Sequence, residues 1–142
     1  MIRPAVYSDD LYPLAVEFYK KANFPVEYDE QDLRNIINQI KETGLVLVAV
    51  EEFEIVGIIG GFITDYTLNK KKKVFQEAMW YVTPEFRGLG RDLYTSLVNV
   101  LKTLEIDYMV MACLNNEFHD VVDRFYKKEG FTLLEKHYLR TV

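Results

Sequence analysis

Residues 76–105, QEAMWYVTPEFRGLGRDLYTSLVNVLKTLE, constrain the fold of this chain more than any other stretch. They open on an apolar and aromatic run at 78–82, which Pro84 closes because proline cannot donate to a sheet ladder. From Leu93 the apolar residues fall at 93, 97, 98, 100, 101 and 104, the spacing of one helical face. A strand therefore passes into a long helix across Arg87-Gly88-Leu89-Gly90-Arg91. Glycines ahead of a helix permit a tight turn and leave its first N–H groups uncovered. With the helix dipole, those donors make an anion site, beside which Arg87 and Arg91 place positive charge. Two readings fit: a pyrophosphate cradle at a strand-to-helix junction, or a turn that uses glycine for its shape alone.

The rest of the chain bounds the choice. At 142 residues, 49% of them hydrophobic, it has the length and composition of one globular domain spanning 1–142. A net charge of −5 argues against nucleic acid as the main partner and suits cationic substrates. One cysteine, Cys113, excludes an internal disulfide and a cysteine-based zinc site, and it reads as a buried structural thiol. Nothing calls for a bound metal or a membrane, and the cytoplasm is the expected location.

In chain order, 1–6 is a short edge strand with Pro4 in it. Ser8, Asp9 and Asp10 start a helix whose inner face is Leu11, Leu14, Ala15, Phe18 and Ala22, with Pro13 in its first turn. Residues 29–32 open a second helix with the stripe Leu33, Ile36, Ile37 and Ile40, stopped by Gly44. Residues 45–50 form a buried strand, 51–54 a hairpin turn and 55–65 its partner. Gly57, Gly60 and Gly61 in that partner predict a bulge or a close backbone approach. Residues 66–73 read as a polar hairpin loop, whose four lysines at 70–73 are better taken as a solvated tip than as a phosphate patch. After the central helix, 107–114 is a strand apolar enough for burial on both faces, 117–128 a helix ended by Gly130, and 131–134 with 137–140 terminal β structure. The fold class is α/β, a mixed sheet with helices on both faces, in the order β-α-α-β-β-β-α-β-α-β.

Val82, Pro84, Arg87 and Gly90, with Gly88, resemble motif A of the GNAT superfamily of acyl-CoA-dependent N-acetyltransferases, an Arg/Gln-x-x-Gly-x-Gly/Ala signature after a strand. The chain departs at the sixth position, where Asp92 stands in place of Gly or Ala. Its carboxylate either caps the helix or opposes a pyrophosphate. A second stretch, Phe125-Tyr126-Lys127-Lys128-Glu129-Gly130-Phe131, is similar to one on the last helix of these enzymes, and the element order matches along essentially the whole chain.

The resemblance implies acetyl-CoA as co-substrate, its pyrophosphate on Arg87, Gly88, Leu89, Gly90, Arg91 and Asp92. Its pantetheine arm would run along the backbone of Met79, Trp80, Tyr81 and Val82, where a bulge splays this strand from the next. Tyr126 would protonate the departing thiolate, a role the chemistry requires, although it also fits as one of ten tyrosines packed at a helix end. Glu77 is the implied base; its neighbour Gln76 faces the other way unless the bulge changes the phase. His119 stands where the family often has asparagine and reads as a cofactor contact, a proton carrier or a polar helix start. The expected activity is acetyl transfer to a primary amine by direct attack in a ternary complex. A different acyl donor, or a non-catalytic acyl-CoA-binding regulator on the same fold, is the alternative. The acceptor is a small-molecule or peptide amine; Asp29, Glu30, Asp32, Asp65 and Glu77 would give its side of the protein an acidic cast. A homodimer is also in keeping with the resemblance.

Overall fold

A computed structural model describes all 142 residues. The elements run β1 Ile2–Pro4, α1 Tyr12–Ala22, α2 Glu30–Thr43, β2 Leu45–Glu51, β3 Glu54–Tyr66, β4 Asn69–Val82, α3 Leu89–Thr103, β5 Tyr108–Val110 and α4 His119–Lys128, with a 3-10 turn at Pro84–Phe86. The chain divides into two compact units, Met1–Ala112 and Cys113–Val142. No helix is long and apolar enough to cross a membrane.

The first unit holds one five-stranded sheet in the order β1-β2-β3-β4-β5. Strands β1 to β4 pair antiparallel, and β5 joins β4 in parallel. Consecutive residues Val46, Leu47, Val48 and Ala49 are all buried, so β2 is covered on both faces. Helix α3 lies against the face that bears Trp80 and Val82: the Trp80 and Tyr94 rings stack at 5.9 Å, and Leu93 reaches Gly57. The intervening residue Tyr81 points to the other face, where it meets Glu17 of α1.

Local chemistry explains the helix limits. Asp29 caps α2 by accepting from the Asp32 N–H at 3.0 Å. Leu33, Ile37 and Ile40 of α2 and Leu14, Ala15, Phe18 and Ala22 of α1 are buried, as their spacing predicts. Gly44 stops α2 for a packing reason, since a Cβ there would stand 2.2 Å from the Gly61 carbonyl oxygen. At the start of α1, Asp9 instead binds Arg3 and the Val6 N–H, and Asp10 accepts from the Tyr12 N–H.

Several expectations need correction. The polar loop at 66–73 is mostly strand: β4 begins at Asn69, and Lys72 and Lys73 pair with Asp107 and Asp65. Neighbouring carboxylates neutralise these two lysines. Strand β5 is three residues long rather than eight, and its burial is partial, with Tyr108 51% exposed. It follows β4 only from Val74 to Gln76, so apolar residues beyond Val110 have no ladder to extend.

In the second unit, α4 ends at Lys128, and Gly130 follows with a φ of +88°, which glycine adopts without steric cost. Residues 131–142 form no strand. Past the Phe131 N–H bond to the Tyr126 carbonyl they make no backbone hydrogen bond, and Leu133, Leu134, Tyr138 and Leu139 are exposed. A strand-like pattern without a paired neighbour does not become a strand. Cys113 is half-buried rather than buried, its thiol donating to the His119 carbonyl at 3.4 Å.

Candidate active site

The site is built on β4. Residue pairing with β3 jumps from Gly60↔Met79 to Gly61↔Glu77, leaving Ala78 as the extra residue of a bulge. Gly61 makes the bulge possible: a Cβ there would lie 2.0 Å from the Gln76 carbonyl oxygen. Parallel pairing with β5 ends at Gln76↔Val110, one residue before Glu77. From Glu77 to Val82, β4 therefore keeps its β3 ladder but has no strand on its other side. Beyond Gln76 no neighbouring strand of the sheet pairs with that edge.

The open edge leads into the turn and α3. Gly88 is the helix cap residue, with φ −57° and ψ −27°, and a Cβ on it would meet nothing within 4 Å. Gly90 lies inside the first turn of α3, and its added Cβ would sit 3.7 Å from a Val82 methyl and 3.8 Å from the Trp80 indole nitrogen. Both glycines thus hold ordinary helical geometry. What they contribute is bare backbone, not a left-handed turn. The Gly90 N–H bonds back to the Arg87 carbonyl at 3.1 Å, so fewer donors remain for an anion than the sequence implies.

The charged residues divide. Arg91 is exposed in the first turn of α3. Arg87 turns back instead: its Nε donates to the Val82 carbonyl at 2.8 Å and its guanidinium lies over the Tyr81 ring. Asp92 is exposed in the same turn, and α3 has no side-chain cap. The capping account of Asp92 fails on that geometry, leaving the charge to act only through space on the dipole.

Met79 is fully buried, Tyr81 and Val82 nearly so, and Trp80 half-buried. Burial, reinforced by the hydrogen bond to Glu17, raises the Tyr81 phenol above its ordinary pKa, and Arg87 opposes the shift. Glu17 escaped the sequence reading because its partner is 64 residues away on another element, and no local pattern marks such a pair. Gln76 is exposed at the last β5 rung, whereas Glu77 is half-buried at the start of the open edge. The acidic cast proposed for the acceptor side is largely committed elsewhere: Asp29 caps α2, Glu30 pairs with Arg34, and Asp65 pairs with Lys73.

The structure gathers residues 77–82 and 87–92 along one edge of the first unit. His119 and Tyr126 lie together on α4 of the second unit, seven residues apart and so on one helix face. The Tyr126 ring is 7% exposed, 5.0 Å from Phe131 and 6.0 Å from Phe125. His119 starts the helix, its Nδ1 3.1 Å from the Asp120 carboxylate.

The model of the acetyltransferase (GNAT) family matches residues 8–131. The chain belongs to the GNAT family. It is accordingly a GNAT-type N-acetyltransferase, and solved structures share its fold at low identity. A ribosomal-protein-alanine N-acetyltransferase from Brucella melitensis biovar Abortus 2308 superposes with a TM-score of 0.75 at 14% identity, over 100% of this chain and 99% of that one. The aminoglycoside acetyltransferase HMB0005 from an uncultured soil metagenomic sample gives 0.73 at 14%, over 100% and 97%. A predicted acetyltransferase with acetyl-CoA from Clostridium acetobutylicum gives 0.73 at 19%, over 99% and 95%. No curated protein matches the sequence.

Proposed function

We propose that this GNAT enzyme transfers an acetyl group from acetyl-CoA to a primary amine, the amine attacking directly. The observation that carries this reading is the open edge of β4 between the Ala78 bulge and the start of α3. An extended amide-bearing arm suits such an edge, which runs along Met79, Trp80, Tyr81 and Val82. A pyrophosphate suits the helix start at Gly88, Leu89 and Gly90, which presents bare backbone with Arg91 nearby. When bound, acetyl-CoA supplies the activated acetyl group.

The protein's own residues then manage protons. Glu77, half-buried at the mouth of the open edge, takes the proton from the ammonium group of the acceptor, directly or through water. Tyr126 donates its phenolic proton to the departing thiolate, its ring fixed by Phe125 and Phe131. His119 serves as a polar helix start on the same face. The acceptor is a small-molecule or peptide amine; structural neighbours are named as a ribosomal-protein-alanine N-acetyltransferase and an aminoglycoside acetyltransferase. The chain works as one domain.

The test has two stages. Acetyl-CoA and CoA should each raise the melting temperature, and enzyme-dependent thiol release should follow with at least one amine of a panel of polyamines, aminoglycosides and peptides. No shift with either ligand would end the reading. A shift without thiol release from any amine would leave a binding protein.

A further inference from the structure

The turn after β4 is held by its own arginine. Arg87 Nε reaches back to the carbonyl of Val82, the last residue of the strand, at 2.8 Å. The guanidinium carbon stands 5.5 Å from the Tyr81 ring centroid, and its charge works against the rise in the Tyr81 phenol's pKa. Glu17, an exposed residue of α1, acts on the same phenol in the opposite direction and raises its pKa. With Tyr81 only 8% exposed, the phenol lies under the opposing influence of a cation on the turn and an anion on the helix.

Backbone bonds within the turn itself are local. Phe86 N–H bonds the Thr83 carbonyl and Gly90 N–H bonds the Arg87 carbonyl, each spanning three residues. The Thr83 N–H ties the start of the turn to the Val56 carbonyl of β3. Arg87 connects the far side of the turn to the strand end and to the Tyr81 ring, on which Glu17 of α1 also acts. A planar guanidinium engaged at Nε and over a ring has a fixed orientation, which is what a brace needs. Fixing the turn before the ligand arrives removes part of the ordering cost of binding.

We propose that Arg87 is a positioning residue of the cofactor turn, acting through Val82, Tyr81 and Glu17, and not a ligand of the cofactor's phosphates. The inference rests on the reading above that this turn receives the pyrophosphate of acetyl-CoA. It contradicts the simplest role for an arginine in that place, direct charge pairing with phosphate. Glu17 makes the two accounts separable, because its charge has the wrong sign to help a phosphate directly.

The experiment measures CoA dissociation constants by calorimetry, with melting temperatures alongside, for the parent and for Arg87→Leu, Arg87→Gln, Tyr81→Phe and Glu17→Leu. Arg87→Leu should weaken binding by about 10-fold or more, in line with loss of charge-assisted hydrogen bonds. Arg87→Gln, uncharged but able to donate to the Val82 carbonyl, should recover most of that loss. Glu17→Leu should weaken binding several-fold although it removes a negative charge, and Tyr81→Phe should do the same if Arg87→Leu does not fold. The salt dependence of binding should be the same for Arg87→Gln as for the parent, since no ligand contact has lost charge. Tighter binding by Glu17→Leu, or equal losses in both Arg87 variants, would overturn the proposal. A parent protein that does not bind CoA would instead end the cofactor assignment itself.

Discussion

At the scale of single residues, the two glycines of the turn carry a sharper expectation than the motif alone supplies. The backbone at Gly90 is helical, and a Cβ there would make only ordinary contacts, at 3.7 and 3.8 Å. Gly90→Val should therefore fold with a melting temperature near the parent's, while its side chain covers the bare backbone and weakens acetyl-CoA binding by about 10-fold or more. Calorimetry beside a thermal melt checks both halves. For Asp92 the geometry supplies an expected sign. The carboxylate is exposed and caps nothing, so Asp92→Ala should change stability by no more than the ~0.3–1 kcal/mol of a dipole interaction. Binding should tighten as repulsion is relieved; unchanged or weaker binding would contradict this. Tyr126→Phe keeps the ring between Phe125 and Phe131, so stability should hold. Loss of the proton donor should slow turnover by about 10²- to 10⁴-fold with acetyl-CoA affinity nearly constant. Full turnover in that variant would assign the proton to another group. The sequence exposed these positions because glycine, proline and arginine punctuate a strand-to-helix junction. It could not show that Arg87 turns back onto Tyr81, since side-chain direction depends on partners brought together by folding.

At the scale of elements, periodicity located the helices and the first three strands well, because each buries a stripe whose spacing is written locally. The glycines of β3 also marked the bulge opposite them. The misreadings share another cause: β5 and residues 131–142 have strand-like composition, but pairing is a property of the neighbour. Where β4 bends away after Gln76, β5 loses its ladder whatever its own residues prefer. The bulge is thus the element-level origin of the open edge. Gly61→Ala tests this directly, for a Cβ at 2.0 Å from the Gln76 carbonyl oxygen cannot be accommodated without moving β4. We expect a loss of about 3 kcal/mol, at the upper end for overpacking, read from denaturant unfolding. Acetyl-CoA binding in whatever fraction folds should weaken too. A stable Gly61→Ala protein with parental affinity would separate the bulge from the site.

At the scale of the whole molecule, one ion pair and two lysine hydrogen bonds tie the loop after β1 to its neighbours. Arg3 of β1 grips Asp9 with two hydrogen bonds, at 2.7 and 2.9 Å, and Asp9 also accepts from the Val6 N–H at 2.8 Å. Lys41 of α2 donates to the carbonyls of Tyr7 and Asp9, each at 2.8 Å, so one short loop fastens the edge strand to both early helices. The hydrogen bond from Arg3 is the main reason the Asp9 carboxyl is held below its ordinary pKa; desolvation opposes it, and the Val6 N–H and nearby Lys41 add to the lowering. A depressed carboxylate favours the folded state wherever it is ionised. Its contribution is complete above the unfolded value, near pH 4, and is lost as pH falls through the lower folded value. Asp9→Asn keeps the size of the side chain and one acceptor oxygen but removes the charge. At pH 7 it should lower stability by about 1–2 kcal/mol, the worth of a charge-assisted pair that is only partly shielded from water. The two proteins should converge only as pH falls through the depressed folded value, where the parent also loses the ionised form. Urea unfolding of both across pH 2–7 measures the difference, and a gap that stays constant down to pH 2 would show that Asp9 acts by shape and hydrogen bonding, not by charge.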